Sequence, residues 1–455
     1  MMAEAEKCLK VGFARVDITP PLGYPIAGYF DARYADGILD NLYVDAIAVS
    51  CGETVGVLIS ADLLGIIAKD AKAFRQKIGE DNGIPQEAIY LSCTHTHTGP
   101  QTYPEPYGDL EEKWLFYIDL LVSRLSDAVR LALEDRKPAK MGWAVTELDN
   151  IAYKRRFRMK DGTVRTNPGV SNPDIAEPVG EVDKKLALVR FVREGAGDVL
   201  LINFGVHSDT VTGNKFAADY PHYLRQALEG ALEGVRCSFF CGAQGDVGAV
   251  DQMKARLFPR EASNPSLARH MGHSMAGAVL QIYNKVKFTN VDSVSFGILE
   301  FEAPSNRAEE SKILWARKIM ELYEAGKGDE INAMGVRGGD EAMTRVTMVA
   351  EARRILQLEH GPDSFTLPIS GVRIGEVAFV GIPGEPFTDI GVGIKKGSSY
   401  ALTIPCCLVN GTEGYFPMRD SYDEGGYEAV GSLFGPRTAE LLIENGLKML
   451  SQLAK

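Results

Sequence analysis

Histidine is scarce in this chain, so its placement is informative. Seven histidines occur in 455 residues, and two of them, His95 and His97, sit one residue apart. Other absences narrow the field. No run of about 18 apolar residues occurs, so no membrane-spanning helix is expected. No basic block interrupts a net charge of −12, and the acids are spread along the chain. A nucleic-acid partner is therefore excluded, because phosphate binding needs a basic footprint. No Cys-x-x-Cys pair exists. The seven cysteines lie mostly in apolar strand-like runs (Cys93, Cys237, Cys241, Cys406, Cys407) and read as free buried thiols of a reducing compartment. The first ten residues lack the apolar core of a secretory signal, which makes the cytoplasm the expected location. No repeat, low-complexity segment or flexible linker appears. Residues 1–455 therefore read as a single compact domain with an ordinary soluble composition.

The stretch Leu91-Ser92-Cys93-Thr94-His95-Thr96-His97-Thr98-Gly99-Pro100 organises what is present. The apolar run before it is rich in strand formers, and Thr98-Gly99-Pro100 stops any regular element. The histidine pair is thus expected at a strand end. There, side chains two apart project to one face. Two imidazoles reaching one cavity suit metal ligation, or one ligand and one proton carrier. A hydrogen-bonded structural pair is the plainer alternative.

Patterning along the chain predicts strands at 11–19, 43–50, 55–60, 185–193, 199–204, 237–241, 376–380 and 405–409. It predicts helices at 67–79, after Asp109, from about Tyr220, at 264–286, 307–325 and 340–358, and from about Thr438. The helix after Asp109 carries Glu112 where a capping box places it. Its apolar stripe is Ile118, Leu121, Val122, Leu125, Ala128, Val129 and Ala132. The fold expected is α/β, with a mixed sheet core in one or two packed sheets flanked by helices. Asp62 follows a buried strand directly and suits a helix cap or a site residue. Arg155, Arg156, Arg158 and Arg165 fall on a candidate hairpin with an Asp-Gly turn. They suit either a solvated face or an anion-binding cluster; the latter would favour a soluble anionic amide.

Five apolar strands run into polar loops that carry His95 and His97, His207, Gln244 and Asp246, Glu385, and Glu413 and Tyr415. In α/β sheets, sites assemble outside the carboxyl ends of strands. Two histidines and one carboxylate suit a catalytic zinc site with a position open for water. The same set suits non-haem iron. His270 and His273 lie on a helix and read as core-edge or surface residues, and His222 and His360 have no partner pattern.

Taken in order, Val-Asp-Ile-Thr-Pro-Pro with Ala27-Gly28-Tyr29, Thr-His-Thr-His-Thr-Gly-Pro, Gly-Asp-Val, Gly-Glu-Pro and Gly-Tyr-Phe-Pro with a downstream Gly-Tyr-Glu form a series. It resembles the catalytic domain of the neutral/alkaline, non-lysosomal ceramidase family over nearly the whole chain. The resemblance implies one Zn2+ held by His95, His207, Glu385 and Tyr415, with His97 in proton transfer and an amide cleaved by a zinc-activated water. From their own positions after strands or on the hairpin, Asp62, Gln244, Asp246, Arg155 and Arg156 are candidate supporting or substrate-binding residues. The serine that usually follows Gly-Asp-Val is Gly248 here. The family's C-terminal β-sandwich domain has no counterpart in this sequence. The expected substrate is a small-molecule amide, smaller or more soluble than ceramide. An esterase or lactonase on the same site is the alternative, as is an inactive metal-binding protein.

Overall fold

A computed structural model describes residues 9–103, 111–259, 261–335 and 341–454. Its largest sheet is mixed and nine-stranded. The strands are β1 (Leu9–Asp17), β2 (Tyr43–Cys51), β3 (Thr54–Ala61), β4 (Ile89–Cys93), β5 (Lys137–Glu147), β6 (Lys185–Arg193), β7 (Val199–Phe204), β8 (Arg236–Cys241) and β9 (Lys287–Thr289). They lie in the order β8-β7-β6-β5-β1-β2-β3-β4, with β9 paired to β5. The parallel pairs β3–β4 and β7–β8 stand at the two ends of this order. Each needs a helical crossover. Helix α1 (Ala68–Asn82) serves the first; after α2 (Glu111–Glu134), α3 (Asp219–Ala231) serves the second.

Five antiparallel steps separate β3 from β7, so the two parallel pairs run oppositely along the ribbon. Strand-to-strand twist of roughly 20–25° per step, accumulated over the sheet, turns one end back toward the other. The ends meet: Ser60 Oγ on β3 donates to the Phe239 carbonyl on β8 at 2.5 Å. Twist thereby directs the carboxyl ends of β4 and β7 into one region.

A second sheet holds β10 (Val294–Pro304), β11 (Ser364–Ile374), β12 (Val377–Gly381) and β13 (Leu402–Cys406), in that order. Helix α4 (Ser266–Ile282) precedes it. Helices α5 (Ile313–Glu324), α6 (Gly328–Met334) and α7 (Glu341–Glu359) lie between β10 and β11 in the chain. Helix α8 (Thr388–Gly397) crosses from β12 to β13, and α9 (Thr438–Leu453) closes the fold. The two sheets pack through Val11, Phe13, Val49, Tyr90 and Phe240 on one side and Val372, Phe379 and Ile404 on the other. Helices α1 to α4 cover the far face of the first sheet, and α8 and α9 that of the second. Both faces of most strands are therefore buried, and such strands read as near-continuous apolar runs. On β12, Val377 and Phe379 face the other sheet while Ala378 and Val380 face the helices.

One segment seals the curled sheet. Just after β13, Cys407 N–H donates to Cys241 O at 3.0 Å, and Asn410 N–H donates to Leu91 O at 2.8 Å. The edges β8 and β4 are thus both bonded to residues 407–410.

Several expectations need correction. Patterning assigns no element to 137–147, 294–304, 364–374 or 388–397, which are β5, β10, β11 and α8. Pro138 and Gly142 in β5, and Pro368 and Gly371 in β11, carry breaker signals that burial and pairing override. The last strand spans 402–406 rather than 405–409. Five cysteines are free and buried as expected, but Cys51 is disulfide-bonded, so the thiols are not uniformly free. The stripe on α2 is as predicted, with Leu121, Leu125, Ala128, Val129 and Ala132 fully buried. Asp109, and with it the expected capping box, lies outside the described residues. No helix among the described residues is long and apolar enough to cross a membrane.

Candidate metal centre

The histidine pair sits beyond β4, not on it. Strand pairing ends at Cys93, and His95 adopts a left-handed backbone with φ of 66°. Such a conformation costs a non-glycine residue roughly 1–3 kcal/mol and persists only where the surroundings enforce it. Here His95 N–H donates to Leu63 O at 2.9 Å and Nδ1 donates to Leu64 O at 2.8 Å. The alternation of a strand therefore does not bring His95 and His97 together; a held turn does. Ser208 Oγ donates to Thr94 O at 2.8 Å and ties the His207 loop to this turn.

Four side chains converge. His95 Nε2 lies 3.1 Å from His207 Nε2, 3.3 Å from His97 Nε2 and 3.2 Å from Glu385 Oε2. His207 Nε2 is 3.4 Å from the same carboxylate oxygen. Glu385 arrives from the second sheet through a short parallel pairing of Glu385–Pro386 with Tyr415–Phe416, which also sets Tyr415 alongside it. A carbonyl only accepts, so the Nδ1 atoms of His95 and His97, bonded to Leu64 O and Gly28 O, carry the protons. Their Nε2 lone pairs then point into the cluster. Lone pairs and a carboxylate oxygen packed this closely repel unless a positive charge lies among them. The donor set fits a divalent cation, with carbonyl-anchored imidazoles as metal ligands usually have. Among the described residues, His95, His97 and His207 form a group able to hold a metal ion.

Electrostatics follow from burial. Burial pushes His97 down to about 4, with His95 and Arg33 adding to the effect. Burial also drives His207 well below its usual value, helped by Arg155. Burial alone would lower His95, but Glu385 outweighs it and holds this imidazole above its ordinary value. Burial alone would raise Glu385, yet His95 and Arg155 keep it below the usual carboxylate range. Burial, with Glu385 close by, raises Tyr415 well above the phenol range.

No family model matches the sequence, and no curated protein matches it either. Solved structures do. Neutral ceramidase from Pseudomonas aeruginosa superposes with a TM-score of 0.70 at 18% identity, covering 98% of this chain and 75% of that one. A ceramidase complexed with C2 gives 0.69 at 17% identity, with the same coverage. The chain has the neutral ceramidase fold.

The motif resemblance thus anticipated the architecture, and the ceramidase fold explains why loops from two sheets meet. It also shows which candidates stand apart from the cluster. Asp62 is fully buried and bound bidentately by Arg225 at 2.6 and 3.1 Å, so it supports the loop rather than facing a substrate. Its Oδ1 also accepts from Thr94 Oγ1, one residue before His95. Gln244 Nε2 lies 3.3 Å from Glu385 Oε2 and belongs to the site. Asp246 is paired with Lys154 and accepts from Thr388 N–H at 2.9 Å, which caps α8. The hairpin arginines are not free to bind an anion. Arg155 is buried beneath the site, ion-paired with Glu428 at 2.7 Å and bonded to Gly245 O at 2.6 Å. Arg156 and Arg158 share Glu424, and Arg165 holds Asp161.

Other residues of the site escaped sequence reasoning. Tyr427 packs its ring on Tyr415 at 5.6 Å, and Glu428 is fully buried under Arg155. Both lie in the Gly-Tyr-Glu run, which carries no local signal of chemistry beyond its family resemblance. Asp209 and Tyr29 stand beside His97, as described below.

Gly28 shows how closely the backbone approaches. Its φ is +109°, and an added Cβ would lie 2.8 Å from His97 Cα, Cβ and Nδ1. Gly28→Ala is expected to destabilise the fold by about 1–3 kcal/mol and to displace His97. Urea denaturation measures the first effect and turnover the second. A variant with unchanged midpoint and rate would show that the loop yields freely.

Proposed function

We propose that this protein is a metal-dependent hydrolase that cleaves an amide bond, with zinc as its ion. In this reading His95, His207, Glu385 and Tyr415 hold the metal and His97 carries the proton. The carrying observation is the convergence on His95 Nε2 of two further Nε2 atoms and one carboxylate oxygen at 3.1–3.3 Å. Zinc in such a site supplies Lewis acidity and lowers the pKa of water. The chain's own groups do the rest. His97 Nδ1–H is fixed on Gly28 O, so Nε2 is aimed inward to take a proton and to return it to the leaving amine. Arg155 packs over the Tyr415 ring and helps His95 hold Glu385 as a carboxylate. Histidines from the first sheet and Glu385 and Tyr415 from the second are all required, which supports one catalytic unit over both sheets. The substrate is proposed to be a small amide, more soluble than ceramide.

The test pairs elemental analysis with a panel of matched amides, esters and lactones. The expected result is about one zinc per chain, with amide turnover abolished by a chelator and restored by added zinc. Turnover indifferent to chelation, or confined to esters and lactones, would overturn the proposal.

A further inference from the structure

The cluster is not evenly enclosed. The side chains of His95, His207 and Glu385 are 3%, 4% and 8% exposed, whereas His97 is 11% and Asp209 is 32% exposed. One solvent-facing side of the cluster is formed by His97 and Asp209. Asp209 follows His207 by two residues, and its Oδ1 is 3.9 Å from His97 Nδ1.

This carboxylate is positioned, not loose. The Tyr29 hydroxyl donates to Asp209 Oδ1, and the Tyr29 ring lies 5.6 Å from that of His97. Arg33 stacks over Tyr29 at 4.1 Å and donates to the carbonyls of Gly213, Ala27 and His97. That clamp joins the Tyr29 segment, the histidine turn and the loop after His207 into one wall. The guanidinium donates to these three carbonyls. The second oxygen, Oδ2, takes no hydrogen bond from a described residue. A fixed acceptor with one open oxygen thus flanks this side of the cluster. The arginines that might favour an anion are bound to Glu428, Glu424 and Asp161. The net charge of −12 also favours approach of a cation.

We propose that Asp209, held by Tyr29, is a specificity-determining residue that selects amides carrying a positively charged group a few atoms from the scissile bond. This inference rests on the hydrolase reading for its reaction but not for its recognition. A carboxylate with a fixed oxygen takes an ammonium by a charge-assisted hydrogen bond, repels a carboxylate and is indifferent to an alkyl group.

Three acetamides of matched length test it: N-acetyl-1,2-diaminoethane as the cation, N-propylacetamide as the neutral compound and N-acetyl-β-alanine as the anion. The expected order of kcat/KM on the zinc-loaded protein is cation, neutral, anion, with about tenfold between cation and neutral, as for a partly exposed charged hydrogen bond. In Asp209→Asn the order collapses, read as the ratios between the three compounds, while zinc content is kept. Tyr29→Phe, which frees the carboxylate, reduces the ranking. If none of the three is hydrolysed, calorimetric titration of the same compounds judges recognition separately, and the same order of affinity is expected. Equal handling of the three compounds, preference for the anion, or an equal loss on all three in Asp209→Asn would overturn the assignment.

Discussion

His95→Ala is expected to remove the metal and the turnover together. His95 Nε2 lies within 3.3 Å of both other imidazoles and of Glu385, so it is the hub of the donor set. Its Nδ1 bond to Leu64 O fixes the ring, and such outer bonds raise ligand basicity. Loss of one ligand from a site with three or four protein ligands leaves an incomplete shell around the ion. Zinc should fall from about one per chain to a trace, and hydrolysis to background. Circular dichroism and urea midpoints show whether the variant still folds. A folded variant with full zinc would mean that His95 is not a ligand.

His97→Ala is expected to behave differently. In the proposed roles it keeps its zinc and loses turnover by a factor of about 10²–10⁴, the usual contribution of a positioned proton carrier. Geometry alone does not separate His97 from the ligands, because its Nε2 is as close to His95 as His207 is to within a few tenths of an ångström. Its exposure and its place beside Asp209 distinguish it. Elemental analysis of the variant decides the matter. Zinc loss equal to that of His95→Ala would make His97 a ligand and require another proton carrier.

Much of this site was legible because scarce residues marked it. Histidines are few, and the loop residues around His95, His97 and His207 pointed to strand ends, while the motif series pointed to a fold that superposition bears out. What patterning could not reach was anything set by tertiary pairing. β11 carries Pro368 and Gly371 yet pairs along its length with β10, whose partners supply the missing regularity. The left-handed turn at His95 could not be read from composition, since positive φ is uncommon in any non-glycine residue, even in histidine, where it is enriched. Arg155 and Arg156 were visible as a basic cluster, but their acids, Glu428 and Glu424, lie far along the chain. Asp209 was passed over because one aspartate after a histidine is unremarkable until its exposure and its tyrosine are seen.

The seal made by residues 407–410 sets the order of events when the chain is made. Asn410 Oδ1 accepts from Leu91 N–H across 319 residues of sequence, and loop closures of that span come late and slowly. Synthesis delivers all three histidines well before Glu385 and Tyr415. Until residue 410 has emerged, β4 and β8 are unguarded strand edges, prone to pairing with other chains. A nascent chain stalled short of that point should aggregate and hold zinc poorly. Metal loading then becomes a report on completed folding rather than a step toward it.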